Sequence, residues 1–114
     1  MKATSLAIAA IAICCTSPAS AQSLSSDVRC LLLSNFFAKG AKEEAARQAS
    51  AQSMIFFAGR LGGHADAKTI AGEMRSQSKM IDPKKAGAEM GGCAARMGQA
   101  QKMIQDAAKS LAAK

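Results

Sequence analysis

From Ala86 to Leu111 the apolar residues keep a seven-residue register, and that register constrains the fold more than any other feature. Met90, Met97, Ile104 and Leu111 form one series; Ala86, Cys93, Ala100 and Ala107 form the other. The alternating steps of three and four place both series on one helix face, the kind of seam along which helices pack on helices. Lys84, Lys85, Glu89, Arg96, Lys102, Asp106 and Lys109 lie mostly off the seam. Asp82-Pro83 predicts the start of this helix, with Asp as cap and Pro at the first helical position, where its missing N–H costs nothing. A helix from Pro83 toward Lys114 spans about 45 Å, longer than any other segment here can cover, so its last turns are expected to overhang. Gly91-Gly92 is its weak point, a place for close approach beside Cys93 or for a kink.

The rest of the chain also reads as helix. Val28 to Phe37 is its densest apolar block. Val28, Leu31, Leu32, Leu33, Phe36 and Phe37 wrap most of the girth, leaving Arg29, Ser34, Asn35 and Lys39 for water. A helix apolar over most of its girth is surrounded by others, which makes this one the central post. Ser25, Ser26 and Asp27 offer an N-cap and Gly40 a stop. A second helix is expected over 41–61, thin through Ala45, Ala46, Ala49 and Ala51, then thick through Met54, Ile55, Phe56 and Phe57. A third runs from Asp66, its cap, to Met80, with Ile70, Ala71 and Met74 as a narrow apolar stripe that Ser78 continues. Leu33, Phe37 and Met97 are expected in one core.

The first 21 residues have the three parts of a secretory signal: Lys2, an apolar run from Leu6 to Cys15, and Ala19-Ser20-Ala21 before Gln22. The run is shorter than the about 20 residues a membrane span needs. Cleavage after Ala21 leaves a single helical domain, 22–114, with fourteen Lys and Arg against eight Asp and Glu, a net charge of +6. Two cysteines remain, Cys30 and Cys93. In an oxidising compartment such a pair is expected to bridge within the chain; the competing readings are an intermolecular bridge or free thiols. The fold class is therefore all-α: a small four-helix array or bundle with one interhelical disulfide, after a cleaved signal peptide, in the periplasm or secreted.

Chemistry-bearing patterns are sparse. His64 is the only histidine and sits in a glycine loop. The eight carboxylates are scattered, and Gly62-Gly63 and Gly91-Gly92 lack the frame of a phosphate-binding loop. No catalytic residue, cofactor or metal ligand set is assigned. Six methionines outside the signal raise soft-metal handling of Cu(I) as the alternative function. Met90 and Met97 are seam positions, however, where methionine fills irregular gaps in a core short of aromatics. Export argues against a nucleic-acid partner. The positive charge suits either a solvated mixed surface or an anionic envelope surface.

This layout resembles small exported bacterial helical proteins with one disulfide, of which the periplasmic acid-stress chaperones are the best-known group. The resemblance covers the signal, size, helical content and single cysteine pair; the basic balance and methionine-rich seam depart from it. No motif is shared, so no functional residue is carried over. The expected function is non-enzymatic: a binding or stress-interaction protein working through apolar helix faces, by self-association or on a protein partner. Ile104, Ala107 and Leu111, at the overhanging end of the seam, are the candidate partner-binding residues.

Overall fold

The computed structural model describes residues 19–113, with side chains from Ser23 to Ala113. Four helices follow in order: α1 (Ala19–Gly40), α2 (Glu44–Gly62), α3 (Ala67–Ser78) and α4 (Ala86–Ala112), with no strand among the described residues. The all-α four-helix expectation holds. The proposed signal, 1–21, lies outside the described residues except for its last three. Among the described residues no helix is long and apolar enough to cross a membrane.

α1 packs against each of the other helices, most extensively against α2, and α2 also meets α4. The polar contacts give the directions. On α2, Arg60 meets Asp27 and Ser53 meets Ser34, so α2 runs antiparallel to α1. On α4, Arg96 meets Ser26 while Met90 meets Ser34, again antiparallel. Ser25 reaches Glu73 and Arg29 reaches the Met80 carbonyl, so α3 runs with α1. The order is up-down-up-down around α1.

The core is small. Cys30, Leu33, Phe57, Ala86 and Cys93 are buried together, with Leu31, Phe37, Phe56, Ile81 and Met90 packed around them. The Cys30–Cys93 disulfide is formed, with Cα atoms 5.5 Å apart and 63 residues of separation. Closing a loop of that size removes denatured-state entropy amounting to about 4 kcal/mol at 25 °C in the chain-entropy model. That is a large share for a domain with so few buried side chains.

Several local expectations are corrected. α1 does not begin at a cap near Asp27. Among the described residues it runs from Ala19 on through Ser25, Ser26 and Asp27, because each of those last three side chains finds a partner on another helix. Ser34 is not solvated but fully buried, held by Ser53 and the Cys30 carbonyl. Phe36 is the exposed member of the apolar block, at 57%. On α2 the face toward the core is Ser50, Ser53, Phe57 and Leu61, not the alanines, while Ile55 points to water. Steps of three and four from Ser50 to Leu61 explain this, since two small hydroxyls let the backbones approach before Phe57 fills the space. α2 also starts three residues late, at Glu44. Arg47 donates instead to the Ala41 and Lys42 carbonyls in the α1–α2 connection.

α3 is capped as expected, Asp66 accepting from the Thr69 N–H at 2.8 Å. Gln77, not Ser78, is its buried residue. α4 starts at Ala86, not at Pro83. Asp82 accepts from the Lys84 N–H at 2.9 Å, and the Lys85 N–H donates to the Asp82 carbonyl, so Asp82-Pro83 closes a turn ahead of the helix. Through Gly91-Gly92 the helix is continuous, and a Cβ at either position would meet nothing within 4 Å. The glycines are not there for a close approach. Met97 is only half-buried and lies outside the core cluster, contrary to expectation.

Candidate docking surface

Two features frame the functional site: the polar knot that fixes α4 to the bundle, and the part of α4 that extends past it. The knot centres on Asp27, which is 1% exposed. Arg60 donates its Nε–H to one carboxylate oxygen at 2.9 Å, and Arg96 donates to the other. Arg96 also donates to Ser26 at 2.9 Å. Each guanidinium lies near a ring of α2, Arg60 at 6.0 Å from the Phe56 centroid and Arg96 at 5.1 Å from Phe57. A buried carboxylate is costly unless both oxygens are paired, and here both are. Arg29 adds a second tie, pairing with Glu89 at 3.2 Å and donating to the Met80 carbonyl.

The sequence pattern gives none of Asp27, Arg60 and Arg96 this role: it offers Asp27 as a cap and sets Arg96 off the seam. A signal was present. If α1 and α4 are antiparallel and joined at Cys30 and Cys93, residues three before and three after the cysteines face each other. Those residues are Asp27 and Arg96.

Beyond Arg96 the seam leaves the bundle. Ala100 is half-buried, and every described side chain from Gln101 to Ala113 is exposed. Ile104 is 67% exposed, Leu111 77% and Met103 68%; Ala107 lies exposed between them on the same face. The structure thus brings Ile104, Ala107 and Leu111 onto one uncovered stripe. At its base a groove of about 340 Å³ opens between α2 and α4, lined by Phe56, Arg60, Arg96, Gln99, Ala100 and Met103. The charges of this segment stand off the stripe, with Lys102 and Asp106 paired to each other at 2.7 Å.

A cleft of about 510 Å³ borders the Asp27 knot and is lined by Ser23, Asp27, Leu61, His64, Asp66 and Thr69. His64 is exposed there, at the end of α2. Its backbone N–H donates to the Leu61 carbonyl. The Thr69 N–H lowers the Asp66 pKa below its ordinary value of 3.8. Among the described residues no cluster of three or more His, Cys, Asp or Glu converges in a way that could hold a metal ion. The methionines are dispersed: Met90 lies against Ser34 and the core, while Met80 and Met103 are exposed.

The class defined by this fold and surface is a small disulfide-stapled helical protein with an uncovered apolar helix end. Comparison with protein-family models, curated proteins and solved structures finds no match for the chain.

Proposed function

We propose that this is a non-enzymatic interaction protein of an extracytoplasmic compartment, which docks helices of protein partners on the end of α4. The observation that carries the reading is the exposure of Ile104 and Leu111 on the continuation of the same seam that holds Ala86 and Cys93 in the core. Large apolar side chains aligned on an exposed helix face are a recurrent mark of helix-on-helix recognition. The Cys30–Cys93 bridge supports the compartment, since such bonds persist where the surroundings are oxidising.

The test is Leu111→Asp. Suppression of aggregation of a chemically denatured test protein, followed by light scattering, is compared for parent and variant. The reading expects the parent to suppress scattering and the variant to lose that effect, with melting temperatures within about 2 °C of each other, as befits an exposed position. A variant that melts markedly lower yet suppresses as well as the parent overturns it, because Leu111 then belongs to the protein's own packing.

A further inference from the structure

We infer that the free end of α4 pairs antiparallel with the same segment of a second copy, with Ile104 of each chain against Ala107 of the other and Leu111 against Ala100. This rests on the docking reading above and names its occupant.

Three observations carry it. The first is the size pattern of the stripe. One series is large (Ile104, Leu111) and the other is always alanine (Ala100, Ala107). In a parallel pair each residue type meets its own kind, so wide Ile–Ile and Leu–Leu layers alternate with narrow Ala–Ala layers. No single helix spacing fits both. In an antiparallel pair every layer sets one large side chain against one alanine, and one spacing serves all four layers. The match belongs to this sequence and its own copy, and a partner of arbitrary sequence would not reproduce it.

The second observation is the register left open. Sliding the pair by one heptad toward the bundle would require Cys93 and Met97 at the interface. Cys93 is 3% exposed in the disulfide and has no surface to offer a partner. The register centred between Ile104 and Ala107 uses only residues from Ala100 outward. It also sends the two bundles away from each other, to opposite ends of the paired helices, so they do not collide.

The third observation is charge. Flanking the stripe are Gln101, Met103, Ala108 and Ser110, all uncharged. Lys102, Asp106 and Lys109 are directed elsewhere, and the Lys102–Asp106 pair is closed within one chain. Two copies of a basic protein can therefore meet here without facing like charges. Four layers built from two large side chains and two alanines per chain fall short of the roughly 800 Å² per partner of a standard interface, so the dimer is weak, dissociating on the order of 0.1 mM.

Sedimentation equilibrium of the oxidised protein across that range tests the pairing, and two added cysteine variants test its direction. The expected results are a monomer–dimer equilibrium in the parent and weakening of more than tenfold in Leu111→Asp. Mixing Ala100→Cys with Leu111→Cys should give an intermolecular bridge under mild oxidation. Neither variant should give one alone, because in the antiparallel pair each residue lies about 17 Å along the axis from its own copy. Bridging of either variant with itself, or an unchanged dimer constant in Leu111→Asp, overturns the inference. A parent that stays monomeric throughout also overturns it. If such a monomer still suppresses aggregation and Leu111→Asp does not, the docking reading survives without self-pairing.

Discussion

Arg60 of α2 donates to Asp27 of α1 at 2.9 Å, and the same carboxylate takes Arg96 of α4 on its other oxygen. One side chain thus joins three helices. The side chains of Arg60 and Arg96 remain 38% and 33% exposed, so the positive ends of the knot are partly hydrated while the negative centre is dry. That asymmetry sets what each substitution should cost.

Asp27→Asn keeps the shape and removes the charge. Breaking a fully buried ion pair costs about 3–5 kcal/mol, but both arginines here can turn toward water. A loss of about 1–3 kcal/mol is expected, in the range of hydrogen bonds to charged groups. The urea midpoint measures it, and a shift equivalent to less than about 0.5 kcal/mol would show that the knot adds nothing net.

Phe57 is fully buried at the centre of the core, while Phe37 is only half-buried at its edge. Phe57→Ala should cost about 3–5 kcal/mol, the range for emptying an aromatic core site, and Phe37→Ala distinctly less. Equal losses in denaturant titrations of the two variants would place the core elsewhere.

Gly91 and Gly92 lie exposed inside a continuous helix, with open space where a Cβ would go. Replacing either by alanine should stabilise the protein by about 0.5–1 kcal/mol, because the denatured chain loses freedom and the helix gains a better former. A lower melting temperature in Gly92→Ala would mean that the helix needs its glycine for something the geometry does not show.

Glu73 accepts from Ser25 at 2.7 Å and from Gln77 at 2.8 Å, and these bonds, Ser25 first, lower its pKa below the ordinary value of 4.5. A carboxylate with a depressed folded pKa contributes stability that is present above its unfolded pKa. That stability is lost as pH falls through the folded value. The parent should therefore melt at progressively lower temperature once pH drops below about 4.5, and Glu73→Gln should flatten part of that decline. Asp66, depressed in the same sense, leaves a residual slope. Identical acid profiles for parent and variant would remove Glu73 from the account.

What the sequence disclosed depended on how local the physics was. The seam of α4, the Asp66 cap and the cysteine pair were readable because each rests on spacing or on one pairing choice. The starts of α1, α2 and α4 were not. Ser25, Ser26 and Asp27 form a good cap signal only when nothing else claims their oxygens, and here Glu73, Arg96 and Arg60 do. Ser34 and Ser50 were invisible as core residues because hydrophobicity is a poor guide where two backbones come close enough to exclude larger side chains. The exposed stripe was foreseeable as an overhang from helix lengths alone. Asp27 as a three-helix junction required the disulfide register first.

The Ser34–Ser53 contact carries a consequence of another kind. Leucines and phenylalanines accept many neighbours, so a helix pair built only from them could slip by a turn and repack at small loss. Ser53 donates to Ser34 at 2.8 Å and Ser34 donates to the Cys30 carbonyl at 2.6 Å, deep between α1 and α2. After a slip Ser53 would lose its partner, at about 1–3 kcal/mol, while Ser34 would keep only its bond to the Cys30 carbonyl one turn back in α1. The pair adds little to the depth of the native minimum and much to its uniqueness. It acts as a key in the interface, selecting one alignment of two otherwise permissive surfaces. Through that alignment it sets where Arg60 meets Asp27.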